Sequence, residues 1–405
     1  MGFFYLCIST CVFMTPVEEI YSLFLKFPRI TTDSRNVPAG SVFFAIKGEH
    51  FDGNSFAADA LDKGAAYAVI DNESALTGDR FILVPDVLQA LQQLAVIHRR
   101  HIKAKIIGIT GSNGKTTTKE LIGKVLSSSF KTIITRGNLN NHIGVPLTVL
   151  SIKDDTDIAV IEMGANHPGE IANLCRIARP DYGIITNIGK AHLEGFGSFE
   201  GVVRAKSELY DFIRQNNGLI FLNLDNNLLF SLSRGMNILT YGSSEYAGCK
   251  GIIAERNPYL VISWSSGKSK GHVMTMLIGD YNFENVLASV CIGLHFGISS
   301  DLIENAICSY LPDNNRSQLI RTEKNVLILD AYNANPSSMK AALNNFHDFD
   351  ARSKMVILGD MMELGEESLA EHLNILSLAR QHAFSKIILI GENFSSVSKN
   401  AQEIF

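Results

Sequence analysis

The sequence predicts an α/β protein of three successive domains, the middle one built on a mostly parallel sheet. Three observations carry this. Short apolar runs alternate with helix-period stretches along most of the 405 residues. A glycine-rich turn, Gly108-Ile-Thr-Gly-Ser-Asn-Gly-Lys-Thr-Thr-Thr118, joins one apolar run to one helical stretch. The rhythm also changes character twice, which divides the chain into 15–104, 105–312 and 313–405.

In the first segment, apolar runs at 42–46, 67–70 and 81–84 read as strands, and 88–99 reads as a helix. In the second, strands are predicted at 106–110, 158–162, 183–187 and 219–223, and helices at 116–126, 169–178, 199–213 and 282–296. Continuously apolar strands set between helices belong to a parallel sheet covered on both faces. Residues 246–276 are more polar and read as an antiparallel interlude. In the third segment, strands are predicted at 326–330, 355–359 and 387–390, with helices at 336–347 and 367–382. There is no internal repeat and no low-complexity segment.

Composition narrows the function classes. A hydrophobic fraction of 46% supports large cores, and a net charge of −5 gives no footprint for nucleic acid. The six cysteines, Cys7, Cys11, Cys175, Cys249, Cys291 and Cys308, are scattered without C-x-x-C pairs or zinc spacing, which fits a reducing cytoplasm. Residues 1–13 are apolar. They lack a basic flank and a clear cleavage site, and they are too short to span a bilayer. Met14 is therefore the expected natural start, with 1–13 an upstream extension. No stable membrane insertion is expected.

A glycine-rich turn between strand and helix lets backbone N–H groups converge on phosphate oxygens. Lys115 adds a positive charge at the outer phosphates, and the Thr116 hydroxyl suits Mg²⁺. The plainer alternative is a turn that only caps a helix. The loop is shorter than the usual phosphate loop: Ile109 stands where the longer pattern has glycine, leaving Gly111-x-x-Gly114-Lys115-Thr116.

Further polar residues fall at predicted strand ends, where open α/β sheets bind ligands. Glu162 ends an apolar strand, as a magnesium-side acid does, or as an ordinary charged strand terminus. His192 lies in the loop Thr186-Asn-Ile-Gly-Lys-Ala-His-Leu-Glu-Gly-Phe-Gly-Ser198. Mg²⁺ prefers oxygen, so the loop alone does not make this histidine a ligand. Lys206 sits near the apolar stripe of an amphipathic helix, and on periodicity alone a snorkelling surface lysine is the better reading. Asn138, Asn140 and Asn141 cluster in Asn138-Leu-Asn-Asn-His-Ile-Gly-Val-Pro146 and suit sugar or peptide recognition or turns equally.

Taken together, these motifs resemble the Mur ligase family of bacterial cell-wall synthesis over roughly residues 31–391. The shortened loop Thr110-Gly-Ser-Asn-Gly-Lys-Thr-Thr117 is the family's nucleotide signature. Within the family the chain is similar to the members that join D-alanyl-D-alanine to UDP-N-acetylmuramoyl-tripeptide. The carrying segments are Gly137-Asn-Leu-Asn-Asn-His-Ile-Gly-Val-Pro146, Glu162-Met-Gly-Ala-Asn-His-Pro-Gly-Glu-Ile171, Ala191-His-Leu-Glu-Gly-Phe-Gly-Ser198, Asp330-Ala-Tyr-Asn-Ala-Asn-Pro336 and Gly359-Asp-Met-Met-Glu-Leu-Gly365. A diamino-acid-adding relative would show Tyr-Ala-His-x-Pro at Tyr332-Asn-Ala-Asn-Pro336.

The resemblance implies ATP and Mg²⁺ as cofactors, and an acyl phosphate made from the terminal carboxylate of the UDP-peptide. It implies a UDP-binding first domain, a central ATPase domain and a Rossmann-like third domain. It makes Lys115, Glu162, His192 and Lys206 the catalytic set, with Thr116, Glu162, His192 and a carbamylated Lys206 as metal ligands. Nucleotide contacts fall on Gly111, Ser112, Asn113, Gly114, Lys115, Thr116 and Thr117, on Asn282 and Asn285 for the base, on the interdomain Arg316 and on Asp330 for the ribose. Asn315 stands where the family has glycine before that arginine. Ser34, Arg35 and Lys47 fall in the UDP-binding segment, and Asn138, Asn140, Asn141, Asn333 and Asn335 are the remaining substrate candidates. A monomer is expected. The family's third domain usually continues past the last strand here, so the third segment is expected to be incomplete. The alternatives are a sister ligase adding one amino acid, a truncated inactive copy, or a non-ligase ATPase with no need for Lys206 beside His192 and Glu162.

Overall fold

A computed structural model describes residues 14–256, 258–313 and 315–401, without the side chains of 399–401. The extension reading of residues 1–13 lies outside the described residues, as does Asn314. The chain forms two compact units: one comprises the residues up to Ile102 together with His142–Lys153, the other Lys103–Asn141 and everything described from Asp154 onward.

In the first unit, α1 (Val17–Lys26), β1 (Ile30–Thr31), β2 (Val42–Phe44), α2 (Ala57–Asp62), β3 (Tyr67–Ile70), β4 (Phe81–Leu83) and α3 (Val87–His101) follow one another. The strands form a parallel sheet in the order β1-β2-β3-β4. Asp86 starts α3 by accepting from the Gln89 N–H, and basic residues fill the helix's last turn.

In the second unit, β5 (Lys105–Thr110) leads into α4 (Lys115–Ser127) and then β6 (Thr132–Ile134). The next helix, α5 (Gly144–Leu150), belongs to the first unit. There Gln92 donates to the His142 carbonyl (3.0 Å) and His98 Nε2 to the Ile152 carbonyl (2.8 Å).

The chain then returns to the second unit with β7 (Ile158–Glu162), α6 (Glu170–Ala178), β8 (Tyr182–Ile185), α7 (Leu193–Phe196), α8 (Phe199–Gln215), β9 (Leu219–Asn223), α9 (Asn227–Leu232), β10 (Asn237–Gly242), β11 (Cys249–Glu255), β12 (Val261–Ser266), β13 (Ser269–Met274), α10 (Asn282–His295) and α11 (Ser300–Cys308). Nine strands form one sheet in the order β13-β12-β11-β10-β9-β8-β5-β7-β6. It is parallel from β6 to β11, and β12 and β13 are antiparallel, as the interlude predicted. Every residue of β7 is buried, so its pattern is continuous and not alternating. The core packs Ile107, Ile109, Leu121, Ile122, Val160 and Phe221 with Val286, Leu287 and Val290.

The sheet order fixes where a ligand can bind. From β5 the chain goes to β6 and β7 on one side, then crosses to β8 on the other. β5 is thus the strand where direction switches, and the crevice beyond its carboxyl end is the favoured ligand position.

The third segment contributes β14 (Gln318–Arg321), β15 (Val326–Leu329), α12 (Pro336–Asp348), β16 (Met355–Gly359), α13 (Ser368–Gln381), β17 (Lys386–Ile390) and α14 (Glu392–Ala401). The sequence reading omits β14, a short strand that pairs antiparallel with β15, while β16 and β17 pair in parallel. It also ends on the third strand, whereas α14 follows. The Asp360 carboxylate accepts from the Asn393 and Phe394 N–H groups (2.9 Å each), and Phe394 and Val397 are buried. The cysteines Cys175, Cys249, Cys291 and Cys308 are free thiols. Among the described residues no helix is long and apolar enough to cross a membrane.

Candidate active site

The loop between β5 and α4 takes its shape from two glycines. Gly111 has φ +145°, and a Cβ there would meet Thr186 Oγ1; Gly114 has φ +79°, and a Cβ there would lie 2.6 Å from Asn285 Oδ1. No L side chain fits either position. The neighbouring strand end braces the loop. Ser112 N–H donates to the Asn187 carbonyl (2.9 Å), Asn113 N–H to Asn187 Oδ1 (3.0 Å), and Thr186 Oγ1 to the Asn113 carbonyl (2.6 Å). Sequence reasoning passed over Thr186 and Asn187; their place directly after an apolar strand was the available signal.

Lys115 donates to the loop's own carbonyls, Gly111 (2.8 Å) and Ser112 (3.1 Å). Loss of solvent pushes its pKa down and Arg316 adds to this, while Glu162 opposes. Register brings Glu162 alongside Ile109 of β5. Its carboxylate is 1% exposed, and Oε1 accepts from Thr116 Oγ1 (3.2 Å) and Asn140 Nδ2 (2.8 Å). Oε2 is buried and accepts no hydrogen bond among the described residues. A second lysine, Lys119, stands 3.6 Å from it. The sequence reading missed Lys119, although its i+3 spacing from Thr116 puts both on one face of α4.

Lys206 on α8 is 1% exposed, and its Nζ makes one long bond to the Ala165 carbonyl (3.4 Å). The snorkelling reading is therefore wrong for this residue. The ammonium lies over the Phe196 ring, 5.4 Å from its centre. Burial, with Lys115 adding repulsion, pushes its pKa down to about 7. His192 has φ +53°, and its Nδ1 meets the Glu363 carboxylate from the third segment. Loss of solvent lowers its pKa, Glu363 opposes this, and Lys115 and Lys206 repel the charged form.

The third segment reaches the loop at several points. Asn335 donates from Nδ2 to Asn113 Oδ1 (2.7 Å) while capping α12, its own Oδ1 accepting from the Ser338 N–H (2.9 Å). Lys190 binds Glu371 (2.7 Å) and Glu367 (3.3 Å). Arg316 stacks 3.8 Å from the centre of the Tyr332 ring, and its Nε is a buried donor without an acceptor among the described residues. Asn315 has φ +56°, the left-handed region that glycine favours and asparagine tolerates. Loss of solvent raises the Asp330 pKa, and the Ser317 N–H, Arg316 and Tyr281 OH oppose this; the Tyr281 and Ser317 hydroxyls are hydrogen-bonded (2.7 Å). Asn333 is exposed.

At the positions expected to meet the base, Asn282 Nδ2 donates to the Ile278 carbonyl (2.8 Å). Asn285 Nδ2 donates to Asn282 Oδ1 (2.9 Å) and its own Oδ1 accepts from Thr118 (2.9 Å). Thr117 is buried in the first turn of α4. Asn138 and Asn141 are exposed on the loop that carries Asn140. In the first unit, Arg35 is paired with Asp33 (2.9 Å), Lys47 with Asp71 (2.9 Å), and the Ser34 carbonyl accepts from Lys63 (2.9 Å).

Three Mur ligase domains match in chain order: the Mur ligase family catalytic domain over residues 26–107, the Mur ligase middle domain over 109–293 and the Mur ligase glutamate ligase domain over 315–405. The chain belongs to the Mur ligase family. Among relatives of this Mur ligase, the UDP-N-acetylmuramoyl-tripeptide–D-alanyl-D-alanine ligase of Bacillus subtilis is 34% identical over 389 residues, 93% of this chain and 82% of the relative. The enzyme of the same name from Escherichia coli is 32% identical, covering 94% of this chain and 85% of its own. A crystal structure of MurF from Acinetobacter baumannii superposes with a TM-score of 0.83 at 32% identity, covering 91% of this chain and 82% of that one. MurF from Thermotoga maritima in complex with ADP gives 0.79 at 28% identity, covering 94% and 92%.

Proposed function

We propose that the chain is an ATP-dependent ligase that joins D-alanyl-D-alanine to UDP-N-acetylmuramoyl-tripeptide through an acyl phosphate, in the cytoplasm and as a monomer. The carrying observation is the gathering of Lys115, Glu162, His192 and Lys206 beyond the switch strand β5, with Lys206 buried and its pKa near 7. A lysine in that state has a neutral amine available for CO₂. The carbamate it forms, with release of a proton, converts a cation into an oxygen ligand.

The donor set fits magnesium on these terms. Among the described residues no three His, Cys, Asp or Glu side chains are grouped to hold a metal, so the hydroxyl of Thr116 and the carbamate oxygens of Lys206 are needed to complete the set. The buried, unbonded Oε2 of Glu162 supplies a free lone pair. Thr116 and Glu162 would hold one ion, and Glu162, His192 and carbamylated Lys206 a second. Bound Mg²⁺ neutralises charge that develops on the phosphoryl group during transfer.

The residues' work is positioning and charge compensation. Gly111, Ser112, Asn113, Gly114, Thr116 and Thr117 shape the phosphate cradle. Lys115, leaving its loop carbonyls, meets the γ-phosphate as the terminal carboxylate of the tripeptide attacks it. The dipeptide amine then attacks the acyl carbonyl, and phosphate leaves. Arg316 brings its unpartnered Nε to the phosphates, Asp330 takes the ribose, and Asn282 and Asn285 lie at the base. Ser34, Arg35 and Lys47 bind the UDP moiety, and Asn138, Asn140, Asn141, Asn333 and Asn335 face the peptide and dipeptide. We assign 15–104 to UDP-substrate binding, 105–312 to ATP and 313–405 to a Rossmann-like closing domain.

The test offers amine acceptors one at a time with ATP, Mg²⁺ and the UDP-tripeptide, and reads product mass. A product heavier by one dipeptide residue pair supports the reading. A product formed only with a single amino acid contradicts it.

A further inference from the structure

We propose that Lys119 is a positioning residue for ligation, a buried counter-charge that fixes the rotation of the Glu162 carboxylate; this rests on the function proposed above. Lys119 lies on α4 one turn beyond Lys115 and is 1% exposed. Its Nζ donates to the Gly137 carbonyl (3.2 Å), and stands 3.6 Å from Glu162 Oε2 and 3.8 Å from Glu120 Oε1. Glu120 in turn accepts from the Tyr310 hydroxyl (2.6 Å).

A buried ammonium is costly unless paired, and Glu120, 3.8 Å away, already accepts from Tyr310. Lys119 lies between Glu120 and Glu162, which is 1% exposed. The last torsion of a glutamate is broad and nearly two-fold, so an unrestrained carboxylate would swing. Here one oxygen is held by Thr116 and Asn140 and the other faces Lys119. The same ammonium ties down Gly137, where the loop carrying Asn140 begins, and Asn140 returns to the same carboxylate. Lys119 and Asn140 therefore lock the amide loop and Glu162 into one arrangement. A preorganised ligand needs no rearrangement as the phosphoryl charge develops.

The experiment uses the full 405-residue chain and measures ligation kinetics, melting temperature, and ADP affinity by calorimetry with and without Mg²⁺. For Lys119→Met, kcat falls at least tenfold and KM for the UDP-tripeptide stays within twofold. ADP affinity without Mg²⁺ is unchanged, and the gain in ADP affinity on adding Mg²⁺ shrinks at least threefold. Lys119→Arg restores more than half of that gain. A purely structural lysine gives a lower melting temperature with the Mg²⁺-dependent gain intact, and that result overturns the proposal. If Lys119→Met does not fold, Lys119→Gln, which removes the charge that faces Glu162 and keeps a polar donor near the Gly137 carbonyl, decides: a fall in kcat with a smaller Mg²⁺-dependent gain supports the role, and unchanged values overturn it. A wild-type chain that ligates beside an unaltered Lys119→Met variant refutes only the role of Lys119. A wild-type chain that does not ligate refutes the functional reading, while the calorimetry still judges Lys119.

Discussion

Asn140 donates from Nδ2 to Oε1 of Glu162 across 2.8 Å, so an amide from a surface loop holds a carboxylate that is almost wholly buried. A hydrogen bond to a charged group contributes about 2 kcal/mol. Asn140→Ala is expected to lower kcat roughly thirtyfold and to lower the melting temperature as well, since the buried carboxylate loses a donor in the folded state. Asn140→Asp, which sets a second carboxylate against Glu162, loses more. Steady-state kinetics on the two variants checks the order.

Lys115 donates to the loop carbonyls of Gly111 and Ser112 and is pushed toward its neutral form by loss of solvent and by Arg316. Lys115→Met should abolish phosphate release from ATP and leave binding of the UDP-tripeptide intact by calorimetry. Loss of UDP-peptide binding in this variant would show that Lys115 supports the fold rather than phosphate.

The carbamate proposed for Lys206 predicts a chemical signature. Lys206→Ala should nearly abolish ligation, and short-chain carboxylic acids should restore part of it by filling the vacated oxygen position. Unchanged activity in Lys206→Ala would sink the carbamate assignment.

Burial of Lys206 also predicts a pH dependence of stability. Its folded pKa near 7 lies below an unfolded value near 10.4. Between these values the unfolded chain binds more protons, so the wild type gains stability as pH rises, at about 1.4 kcal/mol per pH unit. Below pH 7 both states are protonated and the full penalty of the buried charge applies. In CO₂-free buffer, Lys206→Met should therefore be more stable than wild type at pH 6.5, with the difference narrowing steadily toward pH 9. Denaturant titrations across that range measure it, and a constant difference refutes the shift.

Asn335 has two tasks that substitution can separate. Its Oδ1 caps α12 and its Nδ2 donates to Asn113. Asn335→Asp keeps the cap and loses the donor, so stability should hold while ATP affinity weakens. Asn335→Ala loses both and also lowers stability by about 1 kcal/mol. Equal ATP affinity in Asn335→Asp and wild type would mean the Asn113 contact is incidental.

The sheet was legible because β5, β7 and β8 are buried on both faces and so read as continuous apolar runs around the glycine-rich turn. Short elements were not. β6, β10 and β14 carry few apolar residues, and α5 leaves its sequence neighbours to join the first unit. Periodicity misjudged Lys206, because a buried lysine and a snorkelling one share the same spacing and only tertiary packing distinguishes them. Lys119 shares a helix face with Thr116, but only packing shows that it is buried against Glu162. Asn315 shows the reverse: its positive φ is one that asparagine tolerates, so the resemblance's expected glycine is not needed for this backbone conformation.

The central claim is that ATP turnover serves peptide-bond formation, and phosphate release measures this directly. With Mg²⁺ and UDP-N-acetylmuramoyl-tripeptide present, adding D-alanyl-D-alanine should raise ATP consumption sharply and yield one phosphate per peptide bond. ATP consumption that proceeds equally without the dipeptide, or without the UDP-tripeptide, would contradict the account.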